Sequence, residues 1–286
     1  MTTSTPQDSG KILLAVDGSP SARSAAHSAA KLASVRSWRI HALYIVDIAN
    51  ALEPYTNIEA ELSELGAERP ENERRRITLL EEQGTLALEE VKGICEALSV
   101  PLTTEMIIGD ISSIILDRAS KYNLLALGRR GNRHQRESQH LGGNFRKIAH
   151  HTDASLLIGA EDDAHKFQHL LLAYDGSELS RYALDWAEAL QTIFKNIEVL
   201  TIKEEGATPE WVASRQQELT NSALKHFDFI EKAGEPGETI ARTASEVQAD
   251  LLIMGGYRHS QLMEWATHST LNIVLRETGM PVLAAK

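Results

Sequence analysis

Two groups of residues in this chain have the types and spacing to hold an anionic ligand. Asp17 closes a short apolar run, Ile12-Leu13-Leu14-Ala15-Val16, and is followed by Gly18-Ser19-Pro20. A carboxylate at such a strand end can accept hydrogen bonds from ribose hydroxyls or from the amino group of adenine. Further along, Gly128-Arg129-Arg130-Gly131 ends another apolar run, and after ten more residues Gly142-Gly143-Asn144 opens an amphipathic stretch. Glycine lets backbone N–H groups approach phosphate oxygens closely, and a helix N-terminus adds partial positive charge. Arg129, Arg130, Arg133, Arg136, Arg146 and Lys147 fall within the same nineteen residues. In a chain of net charge -11 this is a local reversal of sign. It favours an anionic ligand.

The elements that must position these groups occur twice. Ile12-Leu13-Leu14-Ala15-Val16-Asp17-Gly18-Ser19 returns as Leu170-Leu171-Leu172-Ala173-Tyr174-Asp175-Gly176-Ser177. Gly109-Asp110 and Ala119-Ser120 match Gly234-Glu235 and Ala244-Ser245, and Leu124-Leu125-Ala126-Leu127-Gly128 matches Leu251-Leu252-Ile253-Met254-Gly255. Ser155-Leu156-Leu157-Ile158 matches Pro281-Val282-Leu283-Ala284. Four blocks in one order over 286 residues predict two copies of one domain, spanning 1–160 and 167–286 with a linker at 161–166. Within each copy, short apolar runs alternate with amphipathic stretches, as in an open parallel sheet with helices on both faces. The expected strands are 12–16, 41–46, 103–108, 124–127 and 155–158, then 170–174, 198–202, a weak stretch at 227–231, 251–254 and 282–284. Ser19-Pro20 reads as a helix start. Leu80, Gly84, Ala87, Val91, Ile94, Cys95 and Leu98 lie on one helical face, which places Cys95 in the core.

The copies differ in length at one place. Asp17 to Gly109 spans 92 positions and Asp175 to Gly234 only 59. The excess falls between 50 and 79 and reads as a solvated extension of the second helix. A single cysteine excludes an internal disulfide and fits a reducing compartment. The first ten residues are polar, and no apolar run approaches about 18 residues, so a cytoplasmic protein without membrane contact is expected. The acidic balance argues against nucleic-acid binding.

The paired Asp-Gly-Ser strand ends and the G-x-x-G…G-G element resemble the universal stress protein family in its tandem form, from about Lys11 to Lys286. The resemblance implies an α/β fold of two tandem Rossmann-like domains, of the adenine-nucleotide α-hydrolase-like kind. It also implies ATP or another adenine nucleotide as ligand, with magnesium as an accompanying ion. Ala15, Asp17 and Val46 would meet adenine and ribose. Leu127, Gly128, Gly131, Gly142 and Gly143 would line the phosphates, with Arg130 and Asn144 in the same loop and helix start. The first copy departs from the family pattern twice: its spacer is one residue longer, and Gly143 replaces a hydroxyl residue. The second copy departs further, with Arg258 at the second glycine position and His268-Ser269 for the Gly-Ser pair. Side chains there crowd a phosphate path, so nucleotide is expected mainly in the first copy. The resemblance further suggests that the two copies pair through their last strands as an intrachain pseudo-dimer. Whole chains are also expected to dimerise.

Other groups read as structural. Asp175 anchors its turn. Adjacent His150 and His151 point to different helix faces, and His134 and His140 lack companion ligands, so no metal centre is expected. Trp186, Trp211 and Trp265 are read as core residues. Three function classes remain: a nucleotide-binding regulatory protein with an unknown protein partner, an ATP-hydrolysing or adenylating enzyme, and a ligand-free interaction module. No pyrophosphatase loop, Walker A lysine or His-x-Gly-His motif supports the enzyme. The first class is preferred, with any hydrolysis slow and incidental.

Overall fold

The computed structural model describes residues 10–47, 69–131, 141–160, 166–203, 208–256 and 269–286. The first half contains β1 (Lys11–Val16), α1 (Pro20–Arg36), β2 (Arg39–Val46), α2 (Arg69–Ala97), β3 (Leu102–Ile108), α3 (Ile111–Ala119), β4 (Leu124–Gly128), α4 (Gly143–His151) and β5 (Ser155–Gly159). The second contains β6 (His169–Ala173), α5 (Glu178–Leu190), β7 (Asn196–Lys203), α6 (Pro209–Asn221), β8 (Phe227–Ala233), α7 (Pro236–Glu246), β9 (Leu251–Gly255), α8 (Thr270–Glu277) and β10 (Val282–Ala285). All ten expected strands form, including the weak one at Phe227. Their ends move by no more than two residues.

The strands join in one sheet of order β3-β2-β1-β4-β5-β10-β9-β6-β7-β8. Every pairing is parallel except β5 with β10, which is antiparallel and sets Leu157 opposite Leu283. The expected pairing through the last strands is therefore present. The Asp-Gly-Ser repeat has a local cause in both halves. Gly18 and Gly176 have φ of 75° and 78°, a left-handed turn that favours glycine, and Ser19 and Ser177 then cap α1 and α5. Side-chain alternation along the strands divides the core into two layers. Ile12, Leu14, Leu157 and Leu283 belong to one, and Leu13, Leu156, Ile158, Val282 and Ala284 to the other. Both layers run through both halves, so the duplicated units share their cores.

The extra length of the first copy goes partly into α2, which has 29 residues against 13 in α6. Residues 50–68 of the expected extension lie outside the described residues, as does the 161–165 stretch. Gly84 lets α2 close onto the sheet, where a Cβ would lie 2.6 Å from the Tyr44 ring. Cys95 is buried as expected, and burial pushes its thiol up to about 11, which leaves it protonated and unreactive. Trp186 is partly buried against the core and meets Trp38 edge-on, 5.8 Å between ring centres, across the two halves. Trp211 is not core. It lies beneath the Arg215 guanidinium at the surface of α6. Trp265 lies outside the described residues. No helix among the described residues is long and apolar enough to cross a membrane.

The joint also holds a buried amine. Lys286 Nζ donates to the carbonyls of Ala149 and Thr152 at 2.8 and 2.7 Å, where α4 ends. Burial pushes the amine down from 10.5 to about 8, against the pull of Asp153. Burial and the nearby Lys286 charge also lower His150, so the lysine supplies the cation that suits this helix end. Because the unfolded chain binds the Lys286 proton more tightly than the folded one, stability at this site rises as pH climbs from about 8 towards 10.5. Denaturant melts at about pH 7 and about pH 9.5 should therefore show wild type gaining stability relative to Lys286→Met at the higher pH. A difference that does not change with pH would mean that the amine is solvated.

Candidate functional site

In an open parallel sheet the carboxyl ends of the strands are left open where the strand order reverses, here between β1 and β4. A cavity of about 470 Å³ opens at that point, within the range of small-molecule sites. Eight of the ten residues expected at the site line it: Ala15, Asp17, Leu127, Gly128, Gly131, Gly142, Gly143 and Asn144. The strand ends and the start of α4 bring these residues together across more than a hundred positions of sequence.

Asp17 has two tasks. Its Oδ1 accepts from the Ser19 N–H at 2.9 Å, which anchors the turn, while Oδ2 faces Gly131, where a Cβ would lie 3.1 Å away. The turn-anchoring role and a place in the cavity are therefore compatible. Burial, and then the Asp17 charge, push the Tyr44 phenol above its ordinary value. The loop after β4 is pinned from α1. The Arg130 carbonyl accepts from the Ser21 and Ser19 hydroxyls at 2.8 and 3.2 Å, and the Gly142 N–H donates to the Arg129 carbonyl at 3.1 Å. Gly142 is the N-cap of α4 and brings no side chain to accept from the first-turn N–H groups. Gly142, Gly143 and Asn144 at that helix start line the cavity. Asn144 is oriented by Ser112, whose hydroxyl donates to its Oδ1 at 3.0 Å.

Several expectations need correction. Val46 does not line the cavity. It lies in the core beneath α2, and its carbonyl accepts from the Gly109 N–H; the lining residues on β2 are Leu43, Tyr44 and Ile45. Arg130 contributes its backbone and not a lining side chain. The described members of the cation cluster do not line the cavity. Arg129 is fully buried and points away, Lys147 pairs with Asp110 at 3.9 Å, and among the described residues no lysine or arginine lines the cavity. Arg133 and Arg136 lie outside the described residues, with His134 and His140. The glycines at 131 and 142 are not in the left-handed region; a Cβ at Gly131 would crowd Asp17 Oδ2 at 3.1 Å, whereas one at Gly142 would make ordinary contact, 3.6 Å from the Arg129 carbonyl.

Sequence reasoning missed half the lining. Ile111, Ile115, Phe145 and Ile148 form an apolar wall between α3 and α4, and Leu80 and Gln83 come down from α2. Both follow the 50–79 extension, whose described side chains, 74–79, are exposed or half-buried and do not line the cavity. Leu80, the first member of the apolar stripe on α2, carried the signal for this part of the lining. The second half differs at the matching places. Ser269 caps α8 with its own hydroxyl, accepting from the Asn272 N–H at 3.2 Å, so one first-turn donor is already satisfied. The Asp175 Oδ1 accepts from the Ser177 N–H at 2.8 Å, and Arg215 crowds Gly176. Arg258 and His268 lie outside the described residues. Among the described residues no group of three or more His, Cys, Asp or Glu side chains could hold a metal ion.

Comparison with known proteins places this geometry in context. The profile of the Universal stress protein family matches residues 9–158 and again 166–286. Universal stress protein Slr1230 of Synechocystis sp. is 25% identical over 285 residues, covering 95% of this chain and 98% of its own. Universal stress protein MJ0531 of Methanocaldococcus jannaschii is 32% identical over 124 residues, 42% of this chain and 65% of that protein. Among solved structures, a universal stress protein from Archaeoglobus fulgidus superposes with a TM-score of 0.76 at 19% identity, covering 99% of this chain and 98% of its own.

The glycines of the loop divide by packing, and this can be tested. A Cβ at Gly128 would lie 2.5 Å from Ser21 Oγ and 2.8 Å from the Ala22 backbone nitrogen, whereas one at Gly143 would meet nothing within 4 Å. Gly128→Ala should lose about 1–3 kcal/mol of stability by forcing α1 off the sheet. Gly143→Ala should stay within about 0.5 kcal/mol of wild type. Equal unfolding free energies for the two variants in denaturant would refute this division.

Proposed function

Since the chain belongs to the universal stress protein family in its tandem form, we propose that it is a regulatory protein of the stress response that binds one adenine nucleotide, ATP, in its first half. The observation that carries the proposal is the placement of two complementary groups at one cavity. Asp17 presents a carboxylate oxygen beside Gly131, and the start of α4 presents backbone donors that its own N-cap leaves unused. A carboxylate suits the hydroxyls of a ribose, and an uncapped helix start suits phosphate. The apolar wall of Leu43, Ile45, Ile111 and Ile115 suits a base. With no cation lining the cavity among the described residues, phosphate would be held by backbone donors. Magnesium would arrive with the phosphates and keep much of its water. Bound nucleotide acts in this reading as a switch or stabiliser and not as a substrate of rapid turnover. A cytoplasmic location, domains divided at 161–166, a homodimer of whole chains and an unidentified protein partner belong to the same proposal.

Titration calorimetry should give close to one strong ATP site per chain, because Ser269 already satisfies one first-turn donor of α8. Gly131→Val fills space beside Asp17 and should lower ATP affinity by about five- to 150-fold, the equivalent of roughly 1–3 kcal/mol. Asp17→Ala should weaken adenosine as well as ATP, since it acts on the nucleoside. Two equal sites, or unchanged affinity in folded Gly131→Val, would overturn the proposal.

A further inference from the structure

Arg129 directly follows β4 at the edge of the cavity, yet its side chain is fully buried and reaches across the joint into the second half. Its Nε donates to the Gly159 carbonyl at 2.9 Å, on β5 of its own half. Its Nη1 donates to the carbonyls of Leu275 and Thr278 at 2.9 and 2.5 Å, and its Nη2 to that of Met280 at 2.5 Å. Those three carbonyls form the C-terminal end of α8 and the turn after it, where a cation complements the helix dipole. The backbone of the same residue meanwhile accepts from the Gly142 N–H, which fixes the start of α4. One residue therefore ties the cavity to the second half.

The far end of α4 is tied to the second half as well. Lys286 Nζ holds the carbonyls of Ala149 and Thr152. The two ties are reciprocal, since each half sends one cation to the helix end of the other. The repeat matches Arg129 with Gly256, and a Cβ at Gly256 would lie 3.2 Å from Lys286 Cγ. The glycine leaves room for the lysine to pass on its way to α4. The helix that opens at the cavity is thus held at its far end by Lys286 from across the joint, and at its start by the backbone of Arg129, whose side chain crosses the joint.

We propose that Arg129 is a positioning residue, through which the second half of the chain holds Gly131 and the start of α4 at Gly142 in the arrangement that receives phosphate. The worn second copy then works as a scaffold for the site of the first, and a perturbation of the α8 end reaches the cavity through one guanidinium. The nucleotide part of this inference rests on the function proposed above, whereas the positioning part does not. The test compares wild type with Arg129→Met, Arg129→Lys and Trp186→Phe, using hydrogen exchange of the Gly142 amide without ligand and ATP titration calorimetry. Trp186→Phe weakens the joint on the opposite sheet face, away from the loop. Arg129→Met should speed exchange at Gly142 and weaken ATP binding by about fivefold or more, the usual range of coupling between sites. Arg129→Lys, which keeps the charge but not the fork, should fall between, and it carries the test if the methionine variant does not fold. Trp186→Phe should leave both readouts at wild-type values. Unchanged Gly142 exchange in a folded Arg129 variant, or the same change in Trp186→Phe, overturns the inference. Faster exchange in the Arg129 variants alone, with no ATP binding even in wild type, would uphold the positioning role and reject the nucleotide reading.

Discussion

The antiparallel pairing of β5 with β10 is the constraint on which the rest of this structure depends. Leu156, Leu157, Ile158, Val282, Leu283 and Ala284 are all fully buried, with helices above and below the sheet. Either strand alone would be a flat apolar edge, the kind of surface that recruits other chains. Pairing the two removes both edges at once and merges four half-cores into two layers. It also fixes the angle and register between the copies. With that register set, Trp38 meets Trp186, Lys286 reaches the end of α4, and Arg129 reaches the end of α8.

Duplication left two copies with the same local grammar and different sites. Both keep the Asp-Gly-Ser turn, because the turn is needed to start the first helix whether or not anything binds. The difference lies at the start of the last helix. Gly142 leaves the first-turn donors of α4 to a ligand, while Ser269 takes up one donor of α8 for the fold. The two helix starts thus differ by a hydroxyl that satisfies one first-turn donor of α8 and has no counterpart at Gly142.

The arginines around the loop show how charge along a chain differs from charge at a site. Six cations in nineteen residues are a local reversal of charge that favours an anionic ligand. Arg129 turned inward instead, since a strand end sets its direction and buried carbonyls of the neighbouring half were within reach. Burying a cation is expensive unless its donors are met, and four carbonyls meet them. Among the described residues the cavity is lined by glycines, an apolar wall and the polar side chains of Asp17, Asp47, Gln83 and Asn144, with no lysine or arginine.

Much of this molecule was legible in the residue order alone. The duplication, the ten strands, the cap at Ser19, the buried Cys95 and the gathering of Asp17 with Gly131 and Gly142 all follow from patterns a few residues long. Hydrophobic period, turn chemistry and strand-end geometry are local, and local physics decides them. The places of Val46 and Arg129, the wall formed by Ile111 and Phe145, and the contribution of Leu80 were not legible in that way. Each depends on which face a side chain takes once another element, distant in sequence, is packed against it. Only the assembled sheet, with β5 against β10, could decide them, because the partners of those side chains do not exist until it forms.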